Sequence, residues 1–380
     1  LKNNMLSAYI HIPFCVNKCP YCGFYSTHYD TALADRFLSA LDIEMKSCSR
    51  NLQDRPFSSI YIGGGTPTTL SLSQFSRLFD LMEEHLPLSG DAEITVESNP
   101  GTITASTLDL LKDRGVTRFS IGVQSFSDQV LAVLGRTHSA GKAFAAVRAA
   151  REAGFENIGI DLIYGVPEQT EEQWQRTIEA ALSLEPDHCS VYSLSLDEGS
   201  PLSREARAGR FMLPDDEIVE RMYGTAIRSL GEAGLRQYEI SNFCVPGREC
   251  RHNCNYWDRG EYLGLGPGSW SFIGNTRSMT IADVNEYITR TTGGIPAVDT
   301  REVLNRDQSA AETLFLGLRR TAGIDLDHYD RMFGPDATNN LRKKIEKLGG
   351  SGLFQIENTR LSLTMRGFLL SNEALTSILP

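Results

Sequence analysis

The chain has 380 residues, of which 41% are hydrophobic and 22% are charged, as in an ordinary globular protein. Its formal net charge is −11 and it has no basic stripe, which argues against nucleic acid or an anionic membrane as the main partner. No apolar run is long enough to cross a bilayer, and the first residues lack the apolar core of a signal peptide. We therefore expect a cytoplasmic protein with one large domain and a smaller one.

Six short runs rich in β-branched residues predict strands, at residues 8–12, 58–62, 93–97, 117–121, 157–163 and 188–192. Between and after them, helical periodicity predicts helices at residues 33–48, 105–114, 127–134, 139–153 and 215–233. Two further helices follow Ser71 and Thr170, each of which has a glutamine three residues on, the pattern of a capping box. Six strand–helix units in a row predict an α/β fold with a parallel sheet. An open sheet and a partial barrel both fit this pattern.

The pattern changes after residue 235. The segment 236–300 is rich in Gly, Asn, Arg and aromatic residues, and we expect irregular structure there, packed on the first domain, residues 1–235. The third segment, 301–380, has helical patterns near 307–321, 325–333 and 336–348, followed by the hairpin sequence LFQIENTRLSLT with its turn at Asn358–Thr359. Helices followed by a hairpin predict a small winged-helix-like α+β module.

Three cysteines, Cys15, Cys19 and Cys22, follow the first predicted strand within eight residues. Thiolates bind soft metal centres, and a C-x₃-C-x₂-C loop can hold three corners of a cubane iron–sulfur cluster. The fourth iron is then left open, which suits a cluster that binds and activates a small molecule. Structural zinc with His28 as the fourth ligand is the alternative.

The sequence CVNKCPYC, at residues 15–22, resembles the signature of the radical S-adenosylmethionine superfamily. The resemblance implies a partial (β/α)6 TIM-type barrel, a 4Fe–4S cluster and S-adenosylmethionine as cofactors. IYIGGGTPT, SIGVQSF, LGRTH and DLIYGVP narrow it to the group that contains oxygen-independent coproporphyrinogen III oxidase. By motif position, the residues expected to contact S-adenosylmethionine are Tyr9, Tyr21, Gly64, Gly65, Thr66, Glu97, Gln124, Arg136 and Asp161.

Two features favour one family within that group. The oxidases have a fourth cysteine two residues past the third, where this chain has Phe24. The sequence CRHNCNYW resembles the H-N-x-x-Y-W motif of the HemW-type heme chaperones, and assigns His252, Tyr256 and Trp257 to heme. Imidazole can ligate iron and aromatic rings can cover a porphyrin face, although the same residues could simply pack the barrel.

Some residues near this motif depart from the family pattern. Cys254 forms a group with Cys244 and Cys250, which could be an accident, a source of a heme ligand or an auxiliary metal site. Trp270 ends GLGPGSW where relatives often have histidine, so a ligand role at that position is in doubt.

The function that the resemblance implies is a radical SAM-type heme chaperone, which binds heme and transfers it to an acceptor protein. The alternatives are an oxygen-independent coproporphyrinogen III oxidase that uses a 5′-deoxyadenosyl radical, a related methyltransferase, and a scaffold whose cluster only gates partner binding. The implied partners are heme, a heme-accepting protein and a flavodoxin- or ferredoxin-like reductant. Weak membrane association and a homodimer stay open.

Overall fold

In the computed structural model, residues 6–52, 55–196 and 200–379 are described. Their strands, numbered in chain order, are β1 Leu6–Ile12, β2 Phe14–Cys15, β3 Thr27–His28, β4 Phe57–Gly64, β5 Leu88–Ser98, β6 Arg118–Gln124, β7 Ile158–Tyr164, β8 His188–Ser193, β9 Arg236–Gln237, β10 Asn242–Cys244, β11 Tyr262–Leu265, β12 Trp270–Ile273, β13 Thr276–Thr280, β14 Val298–Val303, β15 Ile324–Asp325, β16 Phe354–Glu357 and β17 Arg360–Leu363.

Helices surround these strands. They are α1 Thr31–Asn51, α2 Leu72–His85, α3 Ala105–Asp113, α4 Asp128–Val133, α5 Ala140–Glu152, α6 Glu171–Leu182, α7 Pro201–Arg207, α8 Asp216–Glu232, α9 Arg251–Trp257, α10 Val284–Thr292, α11 Arg306–Gly317, α12 Leu326–Phe333, α13 Pro335–Lys347, α14 Met365–Leu369 and α15 Ser371–Ile378. None of the helices in the described ranges combines the length and apolar character that crossing a membrane requires.

The centre of the fold is a run of six neighbouring strands, β1, β4, β5, β6, β7 and β8, each parallel to the next. Two neighbouring parallel strands must be joined by a crossover connection, because the chain has to return to the starting edge of the sheet. Helices form these connections, which gives the alternating order of strands and helices. Residues on both faces of these strands are buried, as a sheet covered by helices requires. The predicted six-unit α/β core, in the form of a partial barrel, is confirmed.

The two predicted capping boxes are present at the starts of α2 and α6. Ser71 and Thr170 each accept the backbone N–H three residues on, and Gln74 and Gln173 each accept the backbone N–H of the cap residue. On the inner face of α6, Trp174 is fully buried and its indole N–H donates to the carbonyl oxygen of Met222 at 2.7 Å. This bond fixes α6 against α8 on the outside of the barrel.

The expectation of irregular structure in 236–300 was wrong. β11 pairs in parallel with β1, β12 to β14 extend the sheet beyond it, and β10 pairs antiparallel with β8. The whole sheet therefore has twelve strands in the described part of the chain, in the order β14-β13-β12-β11-β1-β4-β5-β6-β7-β8-β10-β9. The strands were missed because they are short and separated by glycine turns, and because their partners are distant in sequence.

The C-terminal module contains α11 to α15 and a three-stranded sheet in the order β15-β17-β16. The predicted hairpin is β16–β17, and Asn358 takes the left-handed conformation in its turn, with φ of 55°. Short ion pairs join the module to the segment before it: Arg259 to Glu312 at 2.8 Å and Arg320 to Asp258 at 2.6 Å. The predicted winged-helix-like arrangement is therefore present and is held against α9.

Candidate cofactor site

A cavity of about 550 Å³ opens at the carboxyl ends of the parallel strands. This is the end at which barrel enzymes bind their ligands. Eleven residues selected from the sequence line it: Cys15, Tyr21, Cys19, Cys22, Gly64, Gly65, Thr66, Glu97, Gln124, Arg136 and Asp161. The sequence motifs, which span almost 150 residues, therefore converge on one site.

The cysteine loop is tied down at several points. Cys15 lies in β2, which pairs with β3, and its thiol lies 3.8 Å from the hydroxyl of Thr66. The backbone N–H of Cys22 donates to the carbonyl oxygen of Cys19 at 3.1 Å, and Pro20 accepts from the backbone of α7. Burial raises the pKa of Cys22, and the neighbouring Cys19 and Cys15 add to this rise. All three thiols are free and partly exposed to the cavity.

The arrangement of these thiols bears on the zinc alternative. In the described ranges, no three His, Cys, Asp or Glu side chains converge as ligands of one metal ion must. A cluster places its cysteines on separate iron atoms, so the sulfurs need not meet at one point. The described residues therefore give no support to zinc held with His28, nor to an auxiliary metal at Cys244, Cys250 and Cys254.

Glycines bring the backbone after β4 close to the strand beside it. Gly64 has φ of +109°, and a Cβ there would lie 2.5 Å from the ring of His11. A Cβ on Gly65 would lie 2.5 Å from the carbonyl oxygen of Phe14. Only glycine avoids both the strained conformation and the overlap. The result is an edge of backbone, without side chains, that faces the cavity beside the cysteines.

Two partly buried carboxyls, Glu97 and Asp161, line the cavity as well. Glu97 accepts hydrogen bonds from the hydroxyl of Tyr61 at 2.7 Å and from the N–H of Gly64 at 3.1 Å. Burial raises the pKa of Glu97 to about 7, and the nearby Asp161 contributes to the rise. Burial also raises the pKa of Asp161, which accepts from the hydroxyl of Ser120 at 3.2 Å. A ligand that donates hydrogen bonds would stabilise the ionised form of either group.

The guanidinium of Arg136 has one hydrogen-bond donor without a partner, whereas its other two nitrogens are bonded. Its Nη2 donates to the carbonyl oxygen of Gly122 at 2.7 Å and its Nη1 to the sulfur of Cys19 at 3.4 Å, whereas the buried Nε has no partner within the described residues. Burial lowers the pKa of Arg136, but Tyr21 and Cys19 outweigh it and the pKa is raised. Gln124 has φ of 67°, at a register shift between β6 and β7, which turns its side chain at the strand end.

Tyr9 lies deeper than the cavity and does not line it. Its hydroxyl lies 3.0 Å from Nδ1 of His11, whose Nε2 lies 2.7 Å from the carbonyl oxygen of Tyr25. Because a carbonyl only accepts, Nε2 carries the proton and Nδ1 accepts from Tyr9. Tyr9 therefore acts on the cysteine loop through His11, and direct contact with a ligand stays a prediction.

The three aromatic residues assigned to heme lie on two sides of α9. His252 is 1% exposed and lies between Ser59, 3.2 Å from Nδ1, and the hydroxyl of Tyr256, 2.9 Å from Nε2. Burial lowers the pKa of His252 to about 3, so the ring is neutral. Since the Ser59 hydroxyl donates to Ser7, it accepts from Nδ1, and both nitrogens are used. Trp257 instead faces the C-terminal module.

Several cavity residues were not selected from the sequence. Tyr61, Ser98, Tyr192 and Ser193 line the cavity from the ends of β4, β5 and β8. Their position at strand ends is a usable signal, but their residue types are common in strands and belong to none of the motifs. The loop GLGPGSW also has a role that was missed: it packs against His11 and Tyr25 under the cysteine loop.

Residues 9–181 match the family model described as the Radical SAM superfamily, and residues 304–370 match the HemN C-terminal domain. A solved structure, coproporphyrinogen III oxidase (HemN) from Escherichia coli, has a TM-score of 0.88 and 27% sequence identity, and covers 99% of this chain and 90% of its own. The fold and the cysteine site define a protein of the radical SAM class.

Similar proteins of known name identify one family within the radical SAM class. The heme chaperone HemW of Bacillus subtilis is 38% identical over 377 residues, which is 99% of each chain. The heme chaperone HemW of Mycobacterium tuberculosis is 35% identical over 375 residues, covering 98% of this chain and 94% of its own. This chain belongs to the family of HemW heme chaperones.

Membership of the radical SAM superfamily implies a 4Fe–4S cluster and S-adenosylmethionine. The residues present fit both groups, since three thiols, a bare glycine edge, the guanidinium of Arg136 and two partly buried carboxyls line one cavity. When bound, the cluster supplies an electron that can cleave a sulfur–carbon bond of the sulfonium compound. The chain itself would bind the two groups, orient them and enclose them at the end of the barrel.

Proposed function

We propose that this protein is a heme chaperone of the radical SAM type, which binds a 4Fe–4S cluster, S-adenosylmethionine and heme, and transfers the heme to an acceptor protein. The similarity to curated heme chaperones over nearly the whole chain carries the proposal. Phe24, which stands where the oxidases have a fourth cysteine, agrees with it.

Within the cavity, Cys15, Cys19 and Cys22 hold three irons of the cluster, and the fourth is left for the amino and carboxylate groups of S-adenosylmethionine. The unpaired Nε of Arg136 supports contact with the carboxylate, because charge-assisted bonds to guanidinium are strong. The acceptor oxygens of Glu97 support contact with the ribose hydroxyls.

The cluster needs an electron, so we propose a small reductant protein as a second partner and the cytoplasm as the location, where thiols stay reduced. The cysteine loop is the accessible part of the site: Val16 and Phe24 are 55% and 63% exposed. An exposed apolar rim of this kind supports docking of a redox partner next to the cluster.

Oxidation of coproporphyrinogen III is the second candidate, because the solved oxidase has a TM-score of 0.88 to this chain. In that reaction, propionate side chains become vinyl groups through a 5′-deoxyadenosyl radical. The two functions differ in what they do to a porphyrin: the oxidase changes it chemically, whereas the chaperone only holds and releases it.

One anaerobic experiment separates the candidates. The cluster-loaded protein is titrated with hemin and, in parallel, incubated with coproporphyrinogen III, S-adenosylmethionine and a reductant. A chaperone gives a saturable Soret band, passes heme to a heme-free b-type cytochrome faster than free hemin does, and yields no protoporphyrinogen. The absence of a saturable Soret band would remove the chaperone proposal, and protoporphyrinogen formation would establish the oxidase.

A further inference from the structure

The turn that follows β11, residues 266–269, lies under the cysteine loop, and we call it the glycine turn. A Cβ on Gly266 would lie 2.6 Å from the carbonyl oxygen of His11, and a Cβ on Gly268 would lie 2.5 Å from the ring of Tyr25. Both glycines have positive φ, +89° and +73°, so a side chain at either position would also strain the backbone. The place of the glycine turn therefore limits where His11 and Tyr25 can lie.

His11 and Tyr25 connect the glycine turn to the cysteines. Nε2 of His11 donates to the carbonyl oxygen of Tyr25 at 2.7 Å, three residues after Cys22. At the other end of the cysteine loop, the backbone N–H of Tyr29 donates to the carbonyl oxygen of Cys15 at 3.0 Å. The loop is thus attached at both ends, and a shift of Tyr25 would move Cys22 relative to Cys15.

Glu44, on α1, binds the glycine turn from below. One oxygen of its carboxyl, Oε2, accepts from the backbone N–H of Gly266 at 2.8 Å and from the hydroxyl of Tyr287 at 2.7 Å. Burial raises the pKa of Glu44 to about 7, and these two bonds offset part of the rise. A single oxygen atom therefore joins α1, the glycine turn and α10.

Tyr287 connects Glu44 to the first cysteine as well. Its ring packs against Phe37, with centroids 6.1 Å apart, and Phe37 meets Phe14 edge-on at 5.5 Å. All three rings are fully buried, and Phe14 directly precedes Cys15. Glu44 does not line the cofactor cavity, yet its contacts lead to both ends of the cysteine loop.

We propose that Glu44 is a positioning residue for the cluster: its Oε2 sets the place of the glycine turn and of Tyr287, and through them the spacing of the cysteine thiols. The proposal rests on the 4Fe–4S cluster of the proposed function and extends it to a residue outside the cavity. Residues that orient metal ligands typically contribute about 10- to 100-fold to metal affinity. Loss of the acceptor at Oε2 should therefore loosen the cluster while all three thiols remain.

The test is anaerobic release of iron from the reconstituted full chain to a chelator, together with electron paramagnetic resonance of the reduced cluster with and without S-adenosylmethionine. Glu44→Leu removes the acceptor at similar size, and it should release iron roughly tenfold faster and reduce the spectral change that S-adenosylmethionine causes. Glu44→Gln should behave as the unsubstituted protein does, because one amide oxygen can accept both hydrogen bonds.

Two further comparisons separate positioning from a general loss of stability. Met45→Ala leaves a cavity at a fully buried position of the same helix, so it should lower the free energy of unfolding but keep the iron release and the spectra unchanged. Gly266→Ala pushes the glycine turn away from His11 and should reproduce the fast release. Gly274→Ala, also at positive φ but with no atom within 4 Å, should not. This pair tests the proposal even where Glu44→Leu does not fold.

Unchanged iron release in Glu44→Leu and in Gly266→Ala would overturn the proposal. Fast release in Glu44→Gln or in Met45→Ala would overturn it too, because the hydrogen bonds at Oε2 would then not be the cause. If the unsubstituted protein retains no cluster after reconstitution, the cluster of the proposed function fails and the positioning role fails with it. The two failures are distinguishable, since only the first leaves a cluster in the unsubstituted protein.

Discussion

Glu239 is a fully buried carboxyl at the junction of the barrel and the C-terminal module, with 0% exposure. One oxygen accepts from the N–H of Ser241 at 3.2 Å and the other has no partner in the described chain. Burial raises the pKa of Glu239 from 4.5 to about 7. At about 1.4 kcal/mol for each pH unit, this difference corresponds to about 3 kcal/mol of pH-dependent stability.

The sign follows from which state binds the proton more tightly. Below pH 4.5 the carboxyl is protonated in the folded and the unfolded chain, and its full contribution is present. As the pH rises through 7, the unfolded chain has already released the proton while the folded chain must lose it in a buried position, so the free energy of unfolding falls. Glu239→Gln keeps the neutral form at every pH and should remove this loss.

The measurement is urea unfolding of the cluster-loaded protein and of Glu239→Gln, followed by fluorescence and circular dichroism at about pH 5 and about pH 8.5. The stability of the variant relative to the unsubstituted protein should increase by about 2 kcal/mol or more between the two pH values. Glu357→Gln, at an exposed strand position, should show no such increase. Parallel stability curves for the unsubstituted protein and Glu239→Gln would refute the argument that Glu239 is protonated in the fold near neutral pH.

Three further outcomes are expected. Gly65→Ala should weaken S-adenosylmethionine binding about tenfold or more in calorimetry, because its Cβ would meet a backbone carbonyl oxygen at 2.5 Å; Gly90→Ala, which meets no atom within 4 Å, should bind normally. Cys22→Ser should lose most of the iron and the visible cluster absorbance after reconstitution, whereas Cys48→Ser should retain both; equal iron contents would contradict the cluster assignment. Glu312→Gln removes the shared carboxylate of two arginines and should lower the free energy of unfolding by about 3 kcal/mol in urea, against no change for an exposed glutamate.

The barrel could be predicted because its signals are local. Apolar strands, capping boxes and glycine stops each lie within one segment, and parallel order follows from their alternation. The strands of segment 236–300 could not be predicted, since β11 has four residues and its partner β1 lies about 250 positions earlier. Strand pairing over that distance depends on the completed fold, and no local sequence pattern indicates it.

The residues of the candidate site also include some that the sequence could predict and some that it could not. Residues at strand ends, such as Glu97 and Asp161, reach the cavity because all parallel strands end on one side. His252 faces the barrel and Trp257 faces the C-terminal module, because of the way α9 lies between the two. The motif alone could not predict which residue faces which side. Tyr61 and Tyr192 were missed because tyrosine is an ordinary strand residue until the cavity beside it is known.

The loop that carries the three cysteines is braced by chain synthesised much later. Gly266 and Gly268 lie against His11 and Tyr25, and β11 covers the side of β1 that β4 leaves open. On the ribosome, the nascent chain cannot complete this support until residue 268 has left the exit tunnel, although the cysteines emerged long before. A chain truncated before this point would therefore present the three thiols on a loop that lacks its support from β11 and the glycines after it.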